Sequence, residues 1–221
     1  MPSHWSEARR IAAEDDYLTQ EQLLEASLGS DMLTYTKRDF LWEPGNWRGV
    51  EVAPPQNLGH SAILAIGHSD LPVTRADIRK IWHEVAPSEI WATNLIPAKR
   101  FSVRYNARAL PLGLTNPTKE SDNHPVFGDV NHLKLVVSEG QQSDDLSIYA
   151  NFNPQSSPKH RLQAHRICRA SAEVHVGLTD VSAAGRVSYL RNMRDSGIVV
   201  CPRGNGHDTH RFYEALYVGA L

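Results

Sequence analysis

The sequence predicts an α/β protein with parallel sheets of the doubly wound type. Its second half alternates short apolar runs with segments of helical periodicity, which is the pattern of a parallel sheet connected by helices. Its first half contains an apolar run, a polar loop and an amphipathic segment in that order. Hydrophobic residues make up 41% of the 221 residues and charged residues 22%, so the chain can bury a core without disulfides or metals.

The first elements follow from local patterns. Thr19 and Gln22 form a capping-box pattern, which predicts a helix that Gly29 ends. Residues 61–70, SAILAIGHSD, predict a buried strand that ends in a polar loop at 67–70.

A second helix is predicted between Thr74, which can cap it, and Pro87, which ends it. Its apolar residues recur at helical spacing, so one face should pack on a core. These residues are Ile78, Ile81, Trp82 and Val85. A strand at 89–93 and an extended segment within 100–114 follow.

The segment 115–145 is predicted to be a linker, because it is polar and broken by prolines and glycines. These are Pro117, Pro125, Gly128 and Gly140. The sequence therefore predicts an N-terminal α/β region at 1–145 and a C-terminal region at 146–221. In the latter, strands are predicted at 146–150, 173–178 and 197–202, and helices at 158–171, 187–194 and 209–219.

Composition excludes several classes of function. The formal net charge of -2 gives no global positive field to attract nucleic acid. No apolar run is long enough for a membrane span, and the polar N-terminus lacks the apolar core of a signal peptide. A cytoplasmic protein, or a fragment that has lost its anchor, is therefore expected. The two cysteines form no disulfide framework, and the eleven histidines follow no zinc-site spacing, so no metal is predicted.

The last 21 residues, CPRGNGHDTHRFYEALYVGAL, are the segment most indicative of chemistry. A buried strand leads into Arg203, Gly204, Asn205 and Gly206, where both glycines permit positive φ and close approach of a ligand. A helix then begins at about Asp208 or Thr209, and its N-terminal N–H groups favour an anion. Two readings stay open, since such a turn serves either a phosphate site or packing alone.

Three cationic side chains flank this turn: Arg203, His210 and Arg211. Arginine can hold a phosphate through two parallel hydrogen bonds, which favours the phosphate reading. Glu214 is placed either to accept hydrogen bonds from a ribose or simply to be solvated on the helix surface. Likewise Arg161 either lies on a solvated helix face, with Arg166, Arg169, Arg186, Arg191 and Arg194, or reaches the phosphates.

The residues from Pro202 to Gly219 resemble the donor-site motif of exostosin-like glycosyltransferases, and the resemblance extends over about 146–221. It implies a GT-B fold, with two Rossmann-like units, and transfer of a sugar from a nucleotide sugar to a hydroxyl of a glycan or other acceptor. It also implies that Arg203 and Arg211 neutralise the diphosphate and that Glu214 binds the ribose. No metal cofactor is implied, because helix N-termini and cations stabilise the leaving diphosphate. The full set of expected substrate-binding residues is Arg161, Arg203, Gly204, Asn205, Gly206, Asp208, Thr209, His210, Arg211 and Glu214.

Further expectations concern the catalytic base, the end of the sequence and the alternative function. The resemblance also implies that the N-terminal region, 1–145, contributes the acceptor side of the site, where His68 and Asp70 are the candidate catalytic bases for the acceptor hydroxyl. Exostosin-like proteins continue after the last glycine with an apolar strand, whereas this sequence ends at Leu221, which implies an incomplete second unit. The alternative function is a non-catalytic nucleotide or sugar-phosphate binding module, or a truncated fragment.

Overall fold

A computed structural model describes residues 33–37, 41–43, 46–48, 63–67, 72–85, 87–96, 103–115, 124–140 and 147–220. They form two compact units. The N-terminal unit holds the described residues between 33 and 112 together with 204–208, and the C-terminal unit holds those in 113–203 and 209–220. The predicted division at 145/146 therefore differs from the observed one. The helix predicted after Thr19 and the two candidate bases, His68 and Asp70, lie outside the described residues.

The N-terminal unit contains a four-stranded parallel sheet in the order β1-β4-β5-β6, and a separate antiparallel pair, β2-β3. Its elements are β1 (Leu33–Lys37), β2 (Leu41–Glu43), β3 (Asn46–Arg48), β4 (Ile63–Gly67), α1 (Arg75–Val85), β5 (Glu89–Thr93) and β6 (Ala107–Leu110). The β4–α1–β5 unit confirms the predicted strand, helix and strand.

Helix α1 begins as its sequence predicts. The Thr74 backbone N–H and hydroxyl both donate to the Asp77 carboxylate at 2.7 Å, which satisfies donors at the helix start. Ile78 and Ile81 are buried in the core of this unit, and Trp82 packs against it. The apolar stripe is thus confirmed for these three residues.

The C-terminal unit contains a three-stranded parallel sheet in the order β8-β7-β9. Leu133, Tyr149, Leu190 and Ala215 share one core cluster, and Ala150, Phe152 and Cys168 share another. Because Tyr149 and Ala150 are successive strand residues on opposite faces, helices cover both faces of the sheet, as in doubly wound folds. Its elements are α2 (His124–Phe127), α3 (Val130–Ser138), β7 (Ile148–Ala150), α4 (Pro158–Ala170), β8 (Val174–Val176), α5 (Ala183–Ser196), β9 (Ile198–Val199) and α6 (His210–Tyr217).

The predicted linker at 115–145 is wrong for residues 124–140, which form α2 and α3. Leu133 and Val136 of α3 are fully buried in the core. Two of the residues that suggested a linker, Gly128 and Gly140, mark helix ends instead. Gly128 directly follows α2, and Gly140 follows the C-cap of α3 with a φ of 72°.

Two boundaries near the last strand also differ from the prediction. Helix α5 begins four residues earlier than predicted, because the Ser182 hydroxyl caps it by accepting from the Gly185 N–H at 3.0 Å. Gly197 ends α5 with a φ of 72° and does not begin the strand. Strand β9 therefore has two residues, although the Val200 N–H still donates to the Tyr149 carbonyl at 2.8 Å.

Helix α6 ends in a Schellman motif. The Ala220 N–H donates to the Ala215 carbonyl at 2.9 Å, the Gly219 N–H donates to the Leu216 carbonyl at 3.2 Å, and Gly219 has a φ of 83°.

Gly219→Ala is expected to destabilise the protein by about 1 kcal/mol, because alanine is strained at this φ while a β-carbon there meets no neighbour. Urea unfolding measures the loss. Gly219→Asn is the control and should lose less, since asparagine tolerates this conformation; equal losses would refute the backbone explanation.

Within the described part of the chain, every helix is too short or too polar to cross a bilayer.

Candidate functional site

The glycine-rich loop 204–208 belongs to the N-terminal unit, where it packs on Asn94. The Asp208 N–H donates to Asn94 Oδ1 at 2.7 Å, and the Asp208 carboxylate accepts from the Leu112 N–H at 2.9 Å. Asp208 is therefore not the N-cap of α6; Thr209 occupies that position. Of the two predicted starts of this helix, Thr209 is therefore the observed one.

Gly206 of this loop lies against another side chain of the protein. Neither Gly204 nor Gly206 is among the described glycines with positive φ. A β-carbon at Gly206 would overlap the side-chain amide of Asn94. Glycine is required at 206 for close approach to this protein side chain, which is the packing reading of the turn.

Gly206→Ala is expected to destabilise the N-terminal unit by about 1–3 kcal/mol, because Asn94 is buried and its amide is held by Asp208. Asn94→Gly, which removes the amide and tolerates the observed φ of 52°, should partly relieve the loss. A double-mutant cycle followed by urea unfolding measures this coupling. Additive losses would show that the alanine methyl does not meet Asn94.

The C-terminal unit contains a cavity of about 310 Å³ beyond the carboxyl ends of its strands. Residues 151–153 directly follow β7, and 179–181 follow β8. The chain runs from β7 to β8 on one side and then to β9 on the other, so a topological switch point lies beside β7. Ligands bind at this position in open parallel sheets. The lining residues used below are Phe127, Phe152, Arg161, Tyr189, Arg211 and Glu214.

Two arginines and a histidine line this cavity from two elements. Arg161 comes from α4, where its Nε donates to the Arg203 carbonyl at 3.2 Å. His210 and Arg211 come from the first turn of α6, and His210 Nδ1 lies 2.7 Å from the Gly113 carbonyl oxygen. The positive end of the α6 helix dipole adds to the charges of the two arginines.

Arg211 is the cation with the most unusual surroundings. Its side chain is half-buried, and its Nε is enclosed with no hydrogen-bond partner among the described residues. Its guanidinium carbon lies 5.9 Å from the centroid of the Phe152 ring. Burial opposes its charge, but Tyr189 and Glu214 outweigh burial, so the pKa of Arg211 is raised. The Arg211 side chain that lines the cavity is therefore charged.

Glu214 is buried, with 4% exposure, so the solvated reading is wrong. Its Oε1 accepts from Arg186 Nη2 at 2.7 Å, and its Oε2 accepts from the Tyr189 hydroxyl at 3.0 Å. Burial raises the pKa of the Glu214 carboxyl, but Arg186 and Arg211 outweigh burial and hold the pKa below its usual value. Two guanidinium groups thus act on one carboxylate, which leaves an excess of positive charge beside the cavity.

The structure brings together half of the predicted substrate-binding residues. Arg161, Thr209, His210, Arg211 and Glu214 all line the cavity. Arg203 lies in the same unit but is not among the lining residues, and its Nε is enclosed with no partner among the described residues. The others, Gly204, Asn205, Gly206 and Asp208, belong to the N-terminal unit.

The solvated helix face predicted for Arg186 and Arg194 is wrong, because the two side chains are 2% and 3% exposed. Sequence reasoning therefore missed Arg186 as a residue of the site. The signal was present in the sequence, because Leu190 and Met193, four and seven residues later, form the buried stripe of α5. An arginine on that stripe must be buried and needs a partner.

A second cavity of about 390 Å³ shares Phe152 and Thr179 with the first. Its other walls include the apolar side chains of Val174, Val176 and Leu178, while His165 and Arg169 add polar groups from α4. The two cavities thus adjoin, and the second combines apolar and polar side chains.

The described residues contain no cluster of three or more histidine, cysteine, aspartate or glutamate side chains that would hold a metal ion. A search with the sequence finds no protein-family model that matches the chain and no curated protein that is significantly similar to it.

Proposed function

We propose that the protein is a glycosyltransferase whose C-terminal unit binds the nucleoside diphosphate of a nucleotide sugar. The observation that carries this proposal is the half-buried Arg211 guanidinium in a cavity at the switch point of a parallel sheet, at the first turn of α6. Such a position favours anions through the helix dipole, and a guanidinium binds phosphate oxygens through directed hydrogen bonds.

A nucleotide fits this part of the molecule better than a free phosphate. The adjoining second cavity adds the apolar side chains of Val174, Val176 and Leu178 to the space next to the first cavity. Nucleotides combine a charged diphosphate with an aromatic base, and ligand sites combine apolar walls with a few convergent polar groups. The motif from Pro202 to Gly219, which resembles the exostosin-like donor motif, supports the same ligand and extends the proposal to a GT-B enzyme.

The proposed reaction is transfer of the sugar to an acceptor hydroxyl. A base removes the hydroxyl proton, the acceptor oxygen forms a bond to the anomeric carbon, and the bond from that carbon to the diphosphate oxygen breaks. The electron pair of that bond stays on the diphosphate. Arg211, Arg161 and the N-terminus of α6 would stabilise its increasing charge. His68 and Asp70 remain the proposed bases, from sequence alone.

Nucleotide binding provides the test. Nucleoside diphosphates with different bases, at about ten times Kd, are expected to stabilise the wild-type chain by about 1.4 kcal/mol, a Tm increase of about 3–6 °C. Differential scanning fluorimetry measures the shift, with the corresponding nucleosides as controls that lack phosphate. No shift with any diphosphate at millimolar concentration would refute the proposal.

Enzyme and binding module are then distinguished by product formation. Nucleotide sugars whose diphosphates protect the chain are incubated with it, and release of nucleoside diphosphate is measured with and without hydroxyl acceptors. Release that needs the folded protein supports a transferase. Protection without any release across the panel favours the non-catalytic module.

A further inference from the structure

Helix α5 buries two of its arginines, and Arg186 is the one that pairs with Glu214. Its Nη2 donates both to Glu214 Oε1 at 2.7 Å and to the Phe127 carbonyl at 3.0 Å. Its guanidinium carbon lies 5.4 Å from the ring centroid of Phe127 and 5.4 Å from that of Tyr189. These contacts fix the guanidinium between two aromatic rings.

Tyr189 holds the other oxygen of the same carboxylate. It lies three residues after Arg186 and thus on the same face of α5. Its hydroxyl donates to Glu214 Oε2 at 3.0 Å. Phe127, Tyr189 and Glu214 line the first cavity. Two side chains of helix α5 therefore donate hydrogen bonds to the two oxygens of a carboxylate that faces the cavity.

Burying the Arg186–Glu214 pair costs free energy of desolvation, so stabilisation of the fold does not by itself explain the pair. Arg186 is 2% exposed, and its Nε and Nη1 have no hydrogen-bond partner among the described residues. Well-packed apolar residues often replace a buried ion pair without loss of stability. The effect specific to the charged cluster is geometric, since it limits the Glu214 carboxylate to one orientation.

The Glu214 carboxylate can still accept further hydrogen bonds. An ionised carboxylate has about four acceptor positions, and the contacts with Arg186 and Tyr189 use two of them. Hydroxyl groups on neighbouring carbons, such as the 2′ and 3′ hydroxyls of ribose, match two acceptor positions on a fixed carboxylate.

We propose that Arg186 and Tyr189 are positioning residues, which orient the Glu214 carboxylate so that it selects nucleotides carrying both ribose hydroxyls. This inference rests on the proposed function, because it assumes that a nucleoside diphosphate occupies the cavity. It adds a selectivity that the charge of Arg211 does not provide, since Arg211 would contact the diphosphate.

The test compares each ribonucleoside diphosphate with its 2′,3′-dideoxy analogue by isothermal titration calorimetry. The wild-type chain should bind the ribose form at least about tenfold more tightly, the loss expected for hydrogen bonds to a charged group. Tyr189→Phe and Arg186→Lys should reduce this ratio to within about threefold, with inorganic pyrophosphate affinity unchanged. Arg186→Met should abolish the ratio, and Arg186→Lys should recover part of it.

Arg191→Lys is the matched control, because Arg191 is an exposed arginine of the same helix that pairs with Glu139. It should keep the wild-type ratio. If Arg186→Met does not fold, Tyr189→Phe and Arg186→Lys still test the inference, since Tyr189→Phe removes only one hydroxyl. A wild-type ratio in folded Tyr189→Phe and Arg186→Lys overturns the inference, as does a wild-type chain that binds both sugar forms equally. The latter leaves the proposed function intact, whereas failure to bind any diphosphate overturns both.

Discussion

Replacing Arg211 with alanine is expected to weaken nucleoside diphosphate binding by about 10- to 150-fold, because a hydrogen bond to a charged group contributes about 1.5–3 kcal/mol. Arg211 lies in the first turn of α6, next to the Phe152 ring, and contributes to the excess positive charge next to Glu214. Isothermal titration calorimetry measures the loss. Arg211→Lys should retain part of the affinity, since it keeps the charge but loses the two-pronged geometry.

The matched control for Arg211 is Arg166→Ala. Arg166 is an exposed residue of α4 that is absent from the lining of both described cavities, and its replacement removes the same charge from the unit. It should change affinity less than threefold at moderate salt. If both variants lose affinity equally, general electrostatic attraction explains binding and the cavity assignment fails.

Breaking the buried Arg186–Glu214 pair is expected to destabilise the protein by about 3–5 kcal/mol, because the remaining charge is left buried without its partner. Glu214→Leu and Arg186→Met should each show this loss in urea unfolding. The double variant should recover most of it, since two apolar side chains leave no charge uncompensated. Arg191→Met, which breaks an exposed pair on the same helix, should have a much smaller effect.

The pH dependence of stability gives an independent check on Glu214. Its pKa is lower in the folded state than in the unfolded chain, so its contribution to stability is complete above the unfolded pKa. That contribution is lost as the pH falls through the folded pKa. Arg186→Met/Glu214→Leu should therefore lose less stability between neutral and acid pH than the wild-type chain does. Parallel pH profiles would contradict a depressed pKa at this site.

The sequence predicted the order of strands and helices well where one pattern dominates. Alternation in the second half predicted β7, α4, β8 and α6, and the capping residues of α1 were identified individually. Predictions failed where one residue type has two uses. Pro125 and Gly128 suggested a linker, yet they lie within and directly after a helix. Local composition does not distinguish a helix end from a loop.

The candidate site was predictable only in part, for a related reason. His210, Arg211 and Glu214 were found from their positions around a strand-to-helix turn, and Arg161 from the loop that precedes its helix. The burial of Arg186 follows from its spacing with Leu190 and Met193, but its partner does not, because the carboxylate lies on α6, 28 residues away. For Gly206 the sequence leaves both a ligand and packing open, because it cannot show that Asn94 is the group that approaches this glycine.

The contact between Gly206 and Asn94 has a consequence for how this chain is compared with others. Two positions 112 residues apart in the sequence share one small volume, so their side chains should vary together in evolution. A relative with a larger residue at the position of Gly206 should carry a smaller one at the position of Asn94. A search that treats the glycine-rich turn as a ligand motif would overlook such pairs. Covariation between the two positions would identify relatives even where the turn itself has changed.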